Sequence, residues 1–310
     1  MPTDLAAQDM QLIFVKDRAG TDLPFSKGLM ATSILATGLE TDRSYAIAAE
    51  IQQELLRRRH SEVDADDLAQ LAADTIAARA GGRVADRYRA WRRVKRTGRP
   101  VLLVLGGAPG IGKSTIGTRL AVRMGITRVV TTDTIREVLR TVIPDTVLPE
   151  LHVSTYENAP QLPGEPPLGT FHRQARAVCA ATAAVASRLA AEHRSAIIEG
   201  VHVLPGEIRT QLRRHPAAPI VVELLLTLGD EGLHRSHLAH RLLGEPARDG
   251  QRHVDHLAEI RHLQTTLREL AGAAGVPEFD VAAPQGLTQV IVDLVLAGTE
   301  GPRAVGTGAA

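Results

Sequence analysis

The chain has 310 residues, of which 44% are apolar but only 3% aromatic, with 36 Lys and Arg against 35 Asp and Glu. An aliphatic core favours layered α/β packing over an aromatic-rich β-sandwich, and a net charge of +1 argues against nucleic acid or an anionic membrane as a partner. One cysteine, Cys179, allows no internal disulfide and no thiolate metal cage, and its Ala-rich surroundings predict a buried thiol.

The first ten residues carry Asp4 and Asp9 where a secretory signal would need an apolar run. No stretch of about 18 uncharged apolar residues follows. We therefore expect a cytoplasmic protein with no membrane partner.

The first third of the chain predicts a small, mostly helical domain over residues 1–95. Residues 11–25 contain two short apolar runs separated by a turn, which predicts a hairpin. From residue 27 the apolar residues recur at helical spacing and predict four short helices. These apolar positions are Ile34, Leu35, Ile47, Ile51, Leu55, Leu68, Leu71 and Ile76. Residues 86–100 then carry seven Arg and Lys and close with Gly and Pro, which indicates a domain boundary.

The remaining chain, residues 96–298, predicts an α/β domain. Apolar strands alternate with helices, a pattern typical of a parallel sheet with right-handed crossovers. The predicted strands are VLLVL from Val101, RVV at 128–130, AIIE at 196–199 and PIVVELLL at 219–226. Residues 143–169 carry six prolines and are too long for a passive connection, so they predict an ordered insertion on the substrate side. The Gly- and Ala-rich tail, residues 299–310, is expected to be disordered.

The strongest motif is GGAPGIGKST, which matches GxxxxGK[ST] between an apolar strand and a helix. The backbone N–H groups of such a loop and the N-terminus of its helix converge on phosphates. We therefore predict ATP as co-substrate, bound by Gly107, Ala108, Pro109, Gly110, Ile111, Gly112, Lys113, Ser114 and Thr115. Lys113 is expected to bridge the β- and γ-phosphates as a catalytic residue, and the Ser114 hydroxyl to hold Mg²⁺.

Charged residues follow two of the predicted strands at their carboxyl ends, where ligands bind in open α/β sheets. Asp133 is the N-cap of the next helix, a catalytic and substrate-orienting carboxylate, or both. Arg136, one turn later, is expected to bind the phosphate or carboxylate of an acceptor, unless it is a solvated helix charge. Glu199 ends an apolar strand, where a carboxylate commonly holds Mg²⁺ or its water. His202 is either a residue of the substrate site or a structural hydrogen-bonding group.

Residues 234–252 are basic and predict a lid that closes over the triphosphate. Arg235 and Arg241 are its catalytic candidates, although they lie about 120° apart on a straight helix. Both can face the phosphates only if the helix is broken, or if Arg248 or Arg252 takes one of the two roles. Three histidines in the same segment drift around the helix and offer no obvious fourth ligand, which argues against a zinc site.

Five segments, taken together and in this order, resemble the 2-phosphoglycerate kinases: PFSKGLMATSILATG, GGAPGIGKST, TTDTIREVLR, PELHVSTYEN and IIEGVHVLPG. Those proteins join an N-terminal ATP-cone domain to a P-loop kinase domain and make 2,3-bisphosphoglycerate from 2-phosphoglycerate and ATP. The resemblance covers about residues 10–297. It implies a P-loop NTPase three-layer sandwich of the small-molecule kinase type, preceded by an ATP-cone-like domain.

The resemblance also assigns residues to the two substrates. It supports Lys113 and Ser114 at the nucleotide, and Asp133 and Arg136 at the acceptor. Without fixing their roles, it places around the site His152, Ser154, Tyr156, Glu199 and His202. The nucleophile that it implies is the 3-hydroxyl of a small phosphorylated acid, positioned by Asp133 while basic groups hold the existing phosphate and carboxylate.

The N-terminal domain resembles the ATP-cone of ribonucleotide reductases and their repressors, which senses adenine nucleotides. Lys16, Asp17, Phe25 and Lys27 stand where the nucleotide-contacting face of that module begins. The resemblance therefore implies either a second, regulatory nucleotide site or a degenerate structural remnant. Because ATP-cones often mediate association, the sequence is compatible with a homo-oligomer.

Two functions of different classes stay open. One is a small-molecule kinase that acts on 2-phosphoglycerate or on another hydroxyl-bearing metabolite. The other is a nucleotide-responsive regulatory or binding protein, for which the basic stretch Arg87–Arg99 offers a contact for nucleic acid. Because most charge runs are solvated helix faces, the kinase is favoured.

Overall fold

The structure, a computed structural model, describes residues 12–16, 22–59, 61–156, 168–240, 253–283 and 286–298. The chain divides into two compact units, one of residues Met1–Arg96 with Arg123–Gly125 and one of Thr97–Val122 with Ile126–Ala310. The predicted disordered tail lies outside the described residues. Among those residues, no helix is both long enough and apolar enough to cross a membrane.

The first unit combines a three-stranded sheet with four helices. Its elements are β1 (Phe14–Lys16), β2 (Asp22–Pro24), α1 (Lys27–Leu35), α2 (Thr41–Arg57), β3 (Glu62–Asp64), α3 (Ala65–Ala80) and α4 (Gly82–Arg96). The strand order is β2-β1-β3. Strand β1 pairs antiparallel with β2, which confirms the predicted hairpin, and parallel with β3. The four predicted helices are confirmed as well. The third strand was not predicted, because its single apolar residue, Val63, stands between two acidic residues and forms no apolar run.

The core of the first unit lies where the helical spacing predicts it. Ile34, Ile51 and Ile76 are fully buried, and Leu71 packs against the same cluster while partly exposed. Tyr88 of α4 completes this core. The apolar stripes of the helices therefore face one another, as amphipathic helices of a small bundle do.

The second unit is an α/β fold around a five-stranded sheet. Its elements are β4 (Val101–Gly106), α5 (Lys113–Met124), β5 (Val129–Thr131), α6 (Thr132–Val142), a 3₁₀ helix (Pro149–His152), α7 (Gly169–Ala191), β6 (Ala196–Gly200), α8 (Glu207–Leu212), β7 (Ile220–Thr227), α9 (Glu231–His240), α10 (Leu257–Ala274), β8 (Glu278–Asp280) and α11 (Leu287–Ala297). The strand order is β5-β6-β4-β7-β8, and every neighbouring pair is parallel. The predicted parallel sheet is confirmed, while β8, with three residues, was not predicted.

Helices cover both faces of this sheet, which gives three layers. On one face, alternate residues of β4 and β6 pack against α7, α8 and α10. On the other, Gly117 of α5 lies against Leu105 and Ile197. Strand β4 is buried at all six positions, as a central parallel strand must be. Cys179 lies buried in α7 as predicted, and burial raises the pKa of its thiol to about 11.

Candidate active site

Three neighbouring strands end at the same edge of the sheet. The parallel register pairs Gly106 of β4 with Gly200 of β6, and Thr131 of β5 with Glu199 of β6. The loop after β4, the start of α6 and the residues after β6 therefore lie side by side. In open α/β sheets this edge is where ligands bind.

The loop after β4 has the backbone conformation that phosphate binding requires. Gly107 has φ 150°, and a Cβ there would lie 2.4 Å from Ile111 Cδ1 and 2.5 Å from the Leu226 carbonyl oxygen, so no side chain fits. Helix α5 starts directly after the loop, at Lys113. Its free N–H groups and its dipole thus point at the loop, which suits an anion.

A cleft of about 410 Å³ opens at this loop. It is lined by Gly110, Ile111, Gly112, Lys113, Ser114, Thr115, Ile116, Arg119, His237, His240 and Val281. The Lys113 Nζ donates to the Ala108 carbonyl oxygen at 2.7 Å, so the ammonium is held over its own loop. A cationic tip over a ring of backbone N–H groups is the arrangement that stabilises a triphosphate.

Ser114 and Glu199 form an oxygen pair beside the loop. The Ser114 hydroxyl donates to Glu199 Oε1 at 2.8 Å, and Glu199 is only 3% exposed. Hydroxyl and carboxylate oxygens are hard ligands, and Mg²⁺ in nucleotide sites takes one or two such protein groups together with phosphate oxygens. The residues present therefore fit a nucleotide-bound magnesium ion.

Asp133 does not cap α6, so that interpretation is wrong. The cap is Thr131, whose Oγ1 accepts from the Thr134 N–H at 3.1 Å. Thr131 has extended backbone angles, as an N-cap residue does, so the cap lies two residues earlier than the sequence suggested. Asp133 lies in the first turn instead, with its side chain 74% exposed. Its carboxylate is therefore available to a ligand at the sheet edge.

His202 links Thr132 to Gln174 in a buried chain of hydrogen bonds next to Asp133. Its Nε2 lies 3.0 Å from Gln174 Oε1, and its Nδ1 lies 3.1 Å from Thr132 Oγ1. The Gln174 Nε2 group donates to the Val153 carbonyl at 3.0 Å and to that of Glu150, so Gln174 Oε1 must accept. The proton of His202 is therefore assigned to Nε2, and Nδ1 accepts from the Thr132 hydroxyl.

The surroundings keep this histidine neutral. Burial lowers the pKa of His202 to about 4, partly opposed by the Asp133 carboxylate and reinforced by the charges of Arg136 and Lys113. Asp133 Oδ1 lies 3.5 Å from His202 Nδ1. The phosphate-loop lysine, the exposed aspartate and Arg136 thus act electrostatically on one buried ring.

Several of the predicted acceptor residues hold the 143–156 segment. Arg136 Nε donates to the Leu151 carbonyl at 3.0 Å and Nη2 to that of Val153 at 2.5 Å; burial lowers the pKa of its guanidinium. His152 Nε2 lies 3.0 Å from the Ile143 carbonyl oxygen. The Tyr156 ring contacts two histidine rings of residues 253–256, with centroids 5.1 and 5.2 Å away. The rest of the predicted insertion, residues 157–167, lies outside the described residues.

The predicted lid is described only at its first helix. Arg235 is exposed on α9 and lies 3.4 Å from Glu231 of the same helix. Arg241, Arg248 and Arg252 lie outside the described residues. His234 is fully buried, whereas His237 and His240 line the cleft at the phosphate loop.

Sequence reasoning missed two buried polar groups that organise this site, Gln174 and Thr132. Gln174 lies on the apolar stripe of α7, three residues after Phe171 and four before Val178. A polar residue at such a position is a usable signal, because an amide buried there must find partners. Thr132 gave no comparable signal, since its role depends on Gly200, where a Cβ would lie 1.8 Å from Thr132 Oγ1.

Known proteins align with the chain over most of its length. It is 35% identical to the 2-phosphoglycerate kinase of Pyrococcus furiosus over 290 residues, 92% of this chain and 94% of that protein. The chain belongs to the 2-phosphoglycerate kinase family. The enzymes of that name from Pyrococcus horikoshii and Methanopyrus kandleri are each 33% identical, with 90% and 79% of their lengths covered. This 2-phosphoglycerate kinase family member is an ATP-dependent phosphotransferase of small molecules.

Other comparisons add little. No family model matches the chain. A gluconokinase structure from Sinorhizobium meliloti 1021 aligns with 65% of this chain and 92% of its own, at 18% identity and a TM-score of 0.35. The assignment to the 2-phosphoglycerate kinase family therefore comes from the sequence relatives.

The neutral state of His202 predicts a pH dependence of stability. The folded pKa of about 4 lies below the ordinary 6.5, so the unfolded chain gains a proton first as the pH falls, and stability should decrease from about pH 6.5 toward 4. His202→Gln removes this titration, and urea unfolding across that range should show a shallower decrease in the free energy of unfolding. The exposed His193→Gln serves as control and should keep the wild-type slope. Identical slopes in all three proteins would contradict the assignment.

Proposed function

We propose that this protein transfers the γ-phosphoryl group of Mg²⁺-ATP to 2-phosphoglycerate and forms 2,3-bisphosphoglycerate. The observation that carries the proposal is the alignment with enzymes named 2-phosphoglycerate kinase over about nine-tenths of both chains. The arrangement of the sheet edge supports it, because an exposed carboxylate lies next to a phosphate-binding loop. A nucleotide switch without an acceptor has no need of that carboxylate.

The residues divide the chemistry between nucleotide and acceptor. In this proposal the loop N–H groups and Lys113 hold the β- and γ-phosphates and stabilise the charge that develops during transfer. The 3-hydroxyl oxygen of the acceptor attacks the γ-phosphorus, the bond from that phosphorus to the β,γ-bridging oxygen breaks, and the hydroxyl proton passes to Asp133. Positioning of the hydroxyl contributes more than the basicity of the aspartate, because phosphoryl transfer needs little covalent assistance.

Ser114 and Glu199 would hold the magnesium ion, Ser114 through its hydroxyl and Glu199 directly or through water. The ion neutralises charge on the phosphate oxygens when it is bound. Glu199 is almost fully buried, and a buried carboxylate is costly unless a cation or hydrogen-bond donors compensate it. Within the described part of the chain it accepts one hydrogen bond, from Ser114, which leaves lone pairs for such a cation.

Arg136 is proposed to bind the phosphate or carboxylate of the acceptor. Two of the five N–H donors of its guanidinium are used by the Leu151 and Val153 carbonyls. The guanidinium is planar and those two bonds fix its orientation, so the remaining donors form a fixed fork that matches an oxyanion. Arg235 of α9 and Arg241 are proposed to close over the triphosphate, and His152, Tyr156 and His202 to complete the acceptor side.

The direct experiment uses purified protein, ATP and Mg²⁺ with a panel of acceptors. We expect ADP and a bisphosphoglycerate to form with 2-phosphoglycerate, and no acceptor-dependent ADP with 3-phosphoglycerate, glycerate or buffer. Mass spectrometry identifies the product. Turnover with a different acceptor would replace 2-phosphoglycerate in the proposal, and ATP binding without any acceptor-dependent turnover would favour the regulatory alternative.

Asp133→Ala tests the acceptor-orienting carboxylate. We expect kcat to fall by about 10²- to 10⁴-fold, the usual contribution of a positioned proton acceptor, while the Kd for ATP stays unchanged because the phosphate loop is intact. Isothermal titration and steady-state kinetics measure the two quantities. Asp145→Ala, an exposed aspartate in the same region of the chain, is the matched control. Acceptor-dependent ADP production at the wild-type rate in Asp133→Ala would remove the catalytic assignment.

The N-terminal unit supports a second proposal, an ATP-cone-like module with its own nucleotide site. Its three short strands and four helices are compatible with such a module. Lys16 lies 2.5 Å from Glu62 and its side chain is 47% exposed, and Lys27 is exposed at the start of α1. Asp17, the third residue expected at this site, lies outside the described residues.

The basic stretch on α4 favours a solvated helix face over a nucleic-acid contact. Arg89 lies 3.1 Å from Asp86 and 3.6 Å from Asp74. Arg96 pairs with Asp66 of α3. These carboxylates offset part of the positive charge that a phosphate backbone would need.

Binding stoichiometry distinguishes one nucleotide site from two. In Lys113→Ala the phosphate-loop site should weaken strongly, so titration with ATP should retain one site if the N-terminal unit binds nucleotide. Adding Lys16→Ala and Lys27→Ala should then remove that remaining site. A Lys113→Ala protein that is folded by circular dichroism and binds no ATP would favour a structural remnant in the N-terminal unit.

A further inference from the structure

We propose that His234 is a positioning residue of the nucleotide site, holding the Pro109–Gly110 peptide so that the Gly110 N–H is presented to the phosphates. The proposal concerns ATP binding and is independent of which acceptor the enzyme uses. It gives a role to a buried histidine outside the phosphate-loop motif. It also assigns helix α9 a function within the described part of the chain.

The contact is a hydrogen bond from a side chain to the outside of the loop. His234 is fully buried on α9, and its Nε2 lies 2.8 Å from the Pro109 carbonyl oxygen. A carbonyl oxygen accepts only, so the ring proton is on Nε2 and His234 is the donor. Helix α9 thus contacts the loop through a directed bond as well as through packing.

Because a peptide unit is planar, this bond also fixes the orientation of the Gly110 N–H. In a trans peptide the C=O of one residue and the N–H of the next point in opposite directions, and the described chain contains no cis peptide bond. With the Pro109 carbonyl bonded to His234, the Gly110 N–H points away from the His234 ring. Gly110 itself lines the cleft, together with Gly112, Lys113, His237 and His240, so an N–H turned away from that ring is available to a ligand there.

Without the bond, the Pro109–Gly110 peptide could adopt a second orientation. Gly110 has φ 78°, and a Pro-Gly pair with that φ at the glycine matches the central residues of a type II turn. Rotation of the central peptide gives a type I turn, which reverses the C=O and N–H, and glycine has no side chain to oppose it. The flipped form loses the His234 bond. The histidine therefore selects the orientation that offers a donor to an anion.

Leu238, one turn further along α9, contacts the next residue of the loop. A Cβ on Gly110 would lie 2.3 Å from Leu238 Cδ2, and Leu238 is fully buried. The helix therefore packs directly against the backbone of Gly110. This packing holds α9 at the distance that the His234 bond requires.

The second ring nitrogen shows that packing alone does not account for a histidine here. His234 Nδ1 is buried and has no hydrogen-bond partner among the described residues. A buried polar atom without a partner destabilises the folded state, a cost that leucine at this position would avoid. Burial also lowers the pKa of His234, so the ring stays a neutral donor.

Three variants test the role by ATP binding in the absence of acceptor. His234→Leu keeps an apolar side chain but removes the donor, and we expect the Kd for ATP to rise about tenfold, the effect of one hydrogen bond of ordinary strength. His234→Gln retains an N–H donor and should recover most of the affinity. His262→Leu, an exposed histidine on α10, should bind ATP as the wild type does. The KM for the acceptor should be unchanged in all folded variants.

A merely structural histidine would give a different pattern. His234→Leu would then alter the melting temperature while the folded protein binds ATP with wild-type affinity, and that result would overturn the proposal. Equal loss of affinity in His234→Leu and His234→Gln would overturn it too. The readout is ATP affinity, so failure of turnover with 2-phosphoglycerate leaves this test intact.

If His234→Leu does not fold, ¹⁵N NMR of the wild-type protein decides. We expect the His234 ring to carry its proton on Nε2, and the Gly110 amide signal to shift on addition of ATP. A proton on Nδ1, or a Gly110 amide that does not respond to saturating ATP, would contradict the role.

Discussion

The parallel pairing of β4 with β6 is the constraint on which the active site depends. It places Leu105 opposite Glu199 and Gly106 opposite Gly200, so the phosphate loop and the carboxylate proposed to bind magnesium leave the sheet at the same level. Side chains alternate between faces along a strand, and a shift of one residue would turn Glu199 to the opposite face. The apolar residues around it, all buried, fix that register. The chemistry of the site is therefore set by aliphatic packing several residues away.

A second layer of organisation connects the sheet edge to the segment before α7. Arg136 of α6 and Gln174 of α7 both donate to the Val153 carbonyl. Gln174 also fixes the proton of His202, which in turn lies beside Asp133. One hydrogen-bonded network thus runs from Arg136 through the backbone near residue 153 to His202, and the exposed aspartate lies at its edge. Buried networks of this kind are rigid when every member has a partner.

The sequence predicts those parts of the fold that depend on local pattern. Long apolar runs indicated β4, β6 and β7, and the glycine-rich motif indicated the nucleotide loop, because both signals lie within a few adjacent residues. The strands β3 and β8 each have a single apolar residue between two acidic ones, so no apolar run marks them. Their pairing partners are distant in sequence, so no local window contains the information.

The same difference between local signals and distant contacts applies to the residues of the site. The sequence indicates Asp133 as a functional candidate and as the cap of α6. The cap is Thr131 instead, because the position of a cap depends on the backbone angles of one residue. The tautomer of His202 depends on Gln174, 28 residues earlier. His234 reaches Pro109 across 125 residues of sequence. Contacts of this range require the folded topology, which spacing along the chain does not contain.

The anchoring of the 149–153 segment has a consequence for how the enzyme can diverge. Arg136 and Gln174 bind the main-chain carbonyls of Glu150, Leu151 and Val153. Every amino acid supplies such a carbonyl, whatever its side chain. Side chains that point away from these anchors can therefore be exchanged without releasing the segment. Divergence is therefore constrained at the two donors, Arg136 and Gln174, rather than at Val153, whose carbonyl both of them bind.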